Sequence, residues 1–142
     1  MCLRVYGAEV KPNESPVDCD KKVKEIFNEL EVEIPDEAID RSHRIGKIVT
    51  KDDKTVQPII IKFASWKYRS LLYNVRNKVN HYYVSLDLTK FRLNILKKAR
   101  EVITGVDKVD FVFADRNYKL TAKMSNGSFK TFNNIDDLNN LL

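Results

Sequence analysis

Ile59-Ile60-Ile61-Lys62-Phe63 is the segment that most limits what this chain can become. Three successive β-branched residues followed by a phenylalanine favour extended backbone, and a run this apolar suits a central place in a sheet. Its neighbours must come from the segments around it. Leu3 to Ala8 alternates, with Leu3 and Val5 on one side and Arg4 and Tyr6 on the other, as a half-buried strand does. Ile39 to Ile48 reads as a second strand, followed by the polar connection Lys51-Asp52-Asp53-Lys54-Thr55. Tyr82, Val84 and Leu86 alternate as the last strand of this set.

Two helices separate these strands. Ser15, with Pro16 after it and Asp18 three residues on, opens the first, because the hydroxyl caps orphan N–H groups and proline loses nothing at the first helical position. Cys19, Val23, Ile26, Phe27 and Leu30 form its apolar stripe, and Pro35 stops it. Ser65 is placed to cap the second helix, where Tyr68, Leu71, Leu72, Val75 and Val79 fall within one arc. The order βαββαβ over residues 1–87 is the ferredoxin-like arrangement, two helices on one face of a four-stranded antiparallel sheet, with the other face open.

Residues 88–142 read as a separate small αβββα unit, making the whole chain α+β. Thr89 caps its first helix, in which Phe91, Ile95, Ala99, Val102 and Ile103 share a side before Gly105. Val109 to Phe113 and Tyr118 to Met124 follow as strands joined at Asp115-Arg116-Asn117, and Asn126-Gly127 signals a tight hairpin into Phe129 to Phe132. Asn133 or Asn134 caps a terminal helix carrying Leu138, Leu141 and Leu142.

Charge divides the 142 residues unevenly. The net charge is +5, yet residues 1–40 hold 5 basic and 11 acidic side chains, whereas residues 41–104 hold 15 basic and 4 acidic. A positive segment interleaved with Tyr, Trp and Phe is what binding a polyanion requires, and a solvated surface that only keeps the protein soluble is the bland alternative. No apolar run reaches the roughly 20 residues needed to span a bilayer, so the chain is expected to be soluble and intracellular, without a membrane partner. Cys2 and Cys19 form neither a CxxC pair nor a disulfide framework, which agrees with a reducing compartment.

Catalytic equipment is missing from the sequence. His43 and His81 stand alone without metal-ligand spacing, and there is no GxGxxG, Walker loop or GxSxG among four glycines. Asp52-Asp53 and Asp136-Asp137 sit in a linker and at a helix start, where solvation and capping account for them. No enzyme activity, cofactor or metal is therefore expected.

Binding equipment is present. Arg69, Tyr73 and Arg76 follow i, i+4, i+7 on one stripe about 100° from the core-facing residues of the second helix. Lys90, Lys97 and Arg100 share the outer side of the third helix, with Arg92 and Lys98 flanking. Arg41, Arg44, Lys47, Lys51 and Lys54 lie on the second strand and the loop after it, an arm able to close over a phosphate backbone. RNA-recognition motifs read bases by stacking them on aromatics of the two central strands, but here those positions are Arg4, Pro58 and Ile60. Tyr6 and Tyr83 are left for open-face stacking, so backbone-directed binding of single strands with weak sequence preference is expected.

Ile39-Asp40-Arg41-Ser42-His43-Arg44-Ile45-Gly46-Lys47, Gln57-Pro58-Ile59-Ile60-Ile61-Lys62-Phe63 and Asp87-Leu88-Thr89 resemble the RNA-binding region of LINE-type retrotransposon first open-reading-frame proteins. Tyr118-Lys119-Leu120 through Asn126-Gly127 to Lys130-Thr131-Phe132 is similar to that family's C-terminal domain. The resemblance implies a noncanonical RNA-recognition motif and an αβββα domain that together clamp single-stranded RNA or DNA in a basic cleft. It further implies ATP-independent nucleic-acid chaperone activity in a cytoplasmic ribonucleoprotein with access to the nucleus. A full-length parent with an upstream coiled coil would be a homotrimer, and the segment alone is expected to be monomeric. The family's functional arginine near the end of the second helix falls on Arg76, its basic pair near Lys97 and Lys98, and its C-terminal aromatic near Arg116 to Tyr118. Arg4, Tyr6, Arg44, Lys62, Arg69, Tyr73 and Arg100 complete the expected contacts. A protein-interaction module using the sheet or the acidic first helix is the competing reading.

Overall fold

The computed structural model describes residues 2–142, an α+β chain with four helices and three antiparallel sheets. It forms two compact units, one ending at Asp87 and the other spanning Leu88–Leu142.

In the first unit, β1 (Cys2–Tyr6), α1 (Pro16–Glu29), β2 (Ile39–Arg44), β3 (Val49–Lys51), β4 (Lys54–Val56), β5 (Ile59–Phe63), α2 (Trp66–Asn74) and β6 (Tyr83–Leu86) follow in order. The four longer strands make one sheet in the order β2-β5-β1-β6, so the isoleucine run is indeed central. Leu3, Val5, Ile59, Ile61, Phe63 and Val84 turn to one face and pack with Val23, Ile26 and Phe27 of α1 and Leu72 of α2. α1 matches its start and stripe signals but ends at Glu29, before the expected stop at Pro35, where Glu31 takes φ +58° and Val32 N–H donates to the Phe27 carbonyl. Ser15 and Asp18 exchange the two bonds of a capping box, and Cys19, Val23, Ile26, Phe27 and Leu30 are all buried.

Two further expectations for this unit need correction. The polar stretch after the second strand is not a plain connection: β3 and β4 pair as a hairpin through Asp52 and Asp53, both at positive φ. Aspartate tolerates that region better than most residues, which lets Lys51 and Lys54 face each other across the ladder. The second helix is also turned from its expected orientation and ends at Asn74. Leu71 is 40% exposed while Arg69 is 0% exposed.

Gly7 ends β1 at φ +93°, and a Cβ there would fall inside contact distance of the His81 carbonyl oxygen. Gly7→Ala is therefore expected to destabilise the fold by about 2 kcal/mol, from strain plus the clash. Gly105 has φ +77° with nothing within 4 Å of a built Cβ. Gly105→Ala should cost only about 1 kcal/mol, and comparing the two denaturation midpoints isolates the clash.

The second unit comprises α3 (Lys90–Val102), β7 (Val109–Ala114), β8 (Leu120–Met124), β9 (Phe129–Thr131) and α4 (Ile135–Leu141). Its strands run β7-β8-β9, and Ile95, Leu96, Ala99, Val112, Ala122, Phe132 and Leu138 form a core of their own. Thr89 and Asn134 cap the two helices. Phe91 departs from its expected core position and is 71% exposed. The hairpin at Asn126-Gly127 has three loop residues, Ser125 to Gly127, with only Gly127 at positive φ and Met124 N–H donating to the Ser128 carbonyl.

Candidate nucleic-acid interface

Strand register determines which side chains share the sheet face of the first unit that points away from its helices. Tyr6 pairs with Tyr83, Arg4 lies between Ser85 and Ile60, His43 lies beyond Ile60, and Cys2 and Arg41 flank Lys62. Because side chains alternate along each strand, Arg4, Tyr6, Arg41, His43, Lys62 and Tyr83 come to one surface. Arg41, His43, Lys62 and Tyr83 are exposed, Tyr83 at 68%. The Tyr6 and Tyr83 rings are 5.9 Å apart and tilted by 42°. On this face the aromatic pair lies at the Tyr6 end of β1, Lys62 and Arg41 lie toward the Cys2 end on β5 and β2, and Arg4 lies between them.

Acidic partners temper two of those cations. Arg4 Nε donates to Asp87 at 2.7 Å, a bond that raises the guanidinium pKa above its ordinary value. Lys62 lies 3.4 Å from Asp40, the extra residue of a bulge in β2. Both pairs are half-exposed, so a phosphate arriving at this face would exchange with carboxylates already accessible to water.

Arg44 is a different case. Its register partner is Ile59, so it points to the helix-covered side, where its side chain is only 11% exposed. Nε and Nη2 form a fork onto Glu14 at 2.8 and 2.9 Å, and the remaining N–H groups donate to the carbonyls of Ala8, Gln57 and Glu9. All five donors have internal partners, which removes Arg44 from the phosphate-contacting set. Arg41 and Lys47 are exposed, and Lys51 and Lys54 project from the β3–β4 hairpin, an ordered ribbon instead of a loose arm.

The expected outer stripe of α2 is replaced by a stack. The Arg69 guanidinium lies 4.3 Å from the Trp66 ring and 4.9 Å from the Tyr73 ring, and the Arg76 guanidinium lies 4.0 Å from that same Tyr73 ring. A delocalised, weakly hydrated cation can enter the interior when aromatic faces receive it, which is how Arg69 takes a position that periodicity assigns to Leu71. Arg76 lies beyond the helix end and donates to the Tyr73 carbonyl at 2.8 Å.

In the second unit, Lys97, Lys98 and Arg100 are exposed on α3. Arg116 is exposed, while Tyr118 is half-buried at φ +66° and its carbonyl accepts from Arg92 at 2.5 Å. The larger aromatic surface lies elsewhere, among residues the sequence reading left out. Phe111 and Phe129 are 48% and 60% exposed on the sheet face opposite the core. Phe113 joins them at 5.6 and 6.2 Å, and Lys123 Nζ sits 5.5 Å over the Phe111 ring. The signal was available: Phe111 and Phe113 flank the buried Val112, so strand alternation alone sends both outward.

His43 is on the exposed face, and His81 Nε2 lies 2.7 Å from Glu29, a bond that holds the carboxyl below its ordinary value. Among the described residues no group of three His, Cys, Asp or Glu side chains could hold a metal, and no helix is long and apolar enough to cross a membrane. No protein-family model matches the chain, and no curated protein matches it significantly.

Proposed function

We propose that this chain is a nonenzymatic protein that binds single-stranded RNA and DNA through backbone charge and base stacking. The reading extends to ATP-independent nucleic-acid chaperoning within a LINE-type retrotransposon ribonucleoprotein, on the sequence resemblance. The observation that carries it is the sheet face on which the Tyr6–Tyr83 pair shares a surface with Arg4, Arg41 and Lys62. Stacking on tyrosine is tolerant of base identity, and flanking cations supply an attraction that falls with salt. The ferredoxin-like assignment of the first unit is part of this proposal. It is supported by the strand order β2-β5-β1-β6 and by α1 and α2 packing on the same face.

The second unit adds Lys97, Lys98, Arg100 and Arg116 as exposed cations and Phe111, Phe113 and Phe129 as further stacking surface. Weak contacts spread over many residues suit a chaperone, which must release strands so that they can pair again. Titrating single-stranded RNA, single-stranded DNA and duplex at two salt concentrations tests the proposal. Single strands should bind more tightly than duplex, and Lys97→Ala/Lys98→Ala should lower the slope of log affinity against log salt by about 1. Absence of binding at low salt would overturn it, and an unchanged slope would remove α3 from the interface.

A further inference from the structure

The first unit also contains a groove that shares only Arg41 with this reading. It lies between α1 and β2, is completed by residues 32–36, and has a volume of about 910 Å³, within the range of pockets that hold compact ligands. Val23, Phe27, Val32, Ile34 and Ile39 provide an apolar lining. Val32, Ile34 and Ile39 are only half-buried, so apolar area is still accessible within the groove. Asp20, Glu33, Asp36 and Asp40 rim it, against Lys24 and Arg41.

Much of that rim is poorly neutralised. Lys24 pairs with Asp36 at 2.9 Å between two well-exposed side chains, while Asp20 accepts only a neutral bond from the Ser42 hydroxyl at 2.6 Å. Asp40 is paired with Lys62 at 3.4 Å, so four carboxylates against Lys24, Arg41 and Lys62 leave the groove one net negative charge in a protein whose total charge is positive. Nucleic acid is thereby repelled from it. The strand at its wall, β2, stands at the end of the sheet order and pairs with β5 on one side, so its outer edge offers backbone hydrogen bonds.

We propose that this groove is a docking site for an extended basic peptide of a protein partner, one carrying lysine or arginine at alternate positions with aliphatic residues between them. The aliphatic side chains would cover Val32, Ile34 and Ile39, and the cations would meet Glu33, Asp36 and Asp20 at the rim. Charge opposition decides the class of occupant: an acidic or purely apolar segment would leave the rim carboxylates unmatched.

The test uses the full chain and a fluorescein-labelled Lys-Val-Arg-Ile-Lys-Val peptide, read by anisotropy. Saturable binding is expected, at least tenfold weaker when Glu replaces Lys and Arg in the peptide, and at least tenfold weaker on Glu33→Lys/Asp36→Lys. Both substituted residues are exposed, so the variant should keep its thermal midpoint. Methyl resonances of Val32 and Ile34 should shift on peptide addition while those of Ala122 and Leu138 do not. Equal binding of the acidic peptide, or shifts confined to the second unit, would overturn the proposal. So would a concentration-dependent dimer abolished by the charge-reversed variant without peptide binding, which would assign the groove to a second copy.

Discussion

Arg44→Ala is expected to lower the unfolding free energy by about 3 kcal/mol, the largest stability effect of any surface-strand substitution in the first unit. The Arg44 and Glu14 side chains are 11% and 8% exposed, so removing one charge leaves the other in a poorly hydrated place. The carbonyls of Ala8, Glu9 and Gln57 lose a donor at the same time. The measurement is a urea titration with an unchanged m-value, and Lys47→Ala serves as an exposed control that should stay within about 0.5 kcal/mol. Arg44→Met with Glu14→Leu should recover part of the loss, because the unpaired charge is gone while the three carbonyls still lack their donor. If Arg44→Ala left stability unchanged and instead reduced the salt slope of oligonucleotide binding, Arg44 would be a phosphate ligand after all.

Tyr6→Ala/Tyr83→Ala is expected to weaken single-stranded RNA binding by roughly 30-fold, corresponding to about 2 kcal/mol for the base stacked on the pair. The salt slope should not move, since neither substitution removes a cationic side chain. Arg41→Ala/Lys62→Ala should do the reverse, flattening the slope with a smaller loss at high salt. Tyr83 is 68% exposed and Tyr6 half-exposed, so the fold should tolerate both truncations. A loss below twofold, together with a large loss on Phe111→Ala/Phe129→Ala, would transfer base stacking to the second unit. Fluorescence of the single tryptophan, Trp66, offers an independent readout of whether the α2 stack is disturbed by the strand.

Legibility followed how local each physical cause was. The stripe of α1 could be read because its five apolar residues and its capping box act within one turn or one helix, whereas its end at Glu29, set by Glu31 at φ +58° and not by Pro35, was not. The open sheet face was legible for Arg4 and Tyr6, since alternation assigns faces once a strand is recognised. α2 was not, because its orientation depends on aromatic rings receiving Arg69, and a periodicity rule that scores arginine as polar has no place for that. Phe91 failed for the opposite reason: it falls on the apolar arc of α3, yet the core of its unit is filled by Ile95, Leu96 and Ala99.

The sequence by itself determined the order of the helices and longer strands, the central place of Ile59 to Phe63, and the concentration of positive charge between residues 41 and 104. These follow from backbone preference, hydrophobic periodicity and residue counts, none of which needs a distant partner. Only the tertiary structure decided which of those charges are available to a ligand. Arg41 and Arg44 lie three residues apart on one strand, and one faces solvent while the other closes five hydrogen bonds with Glu14 and three carbonyls. A cation's role depends on which acceptors the fold brings within about 3 Å of it, and those acceptors come from elsewhere in the chain.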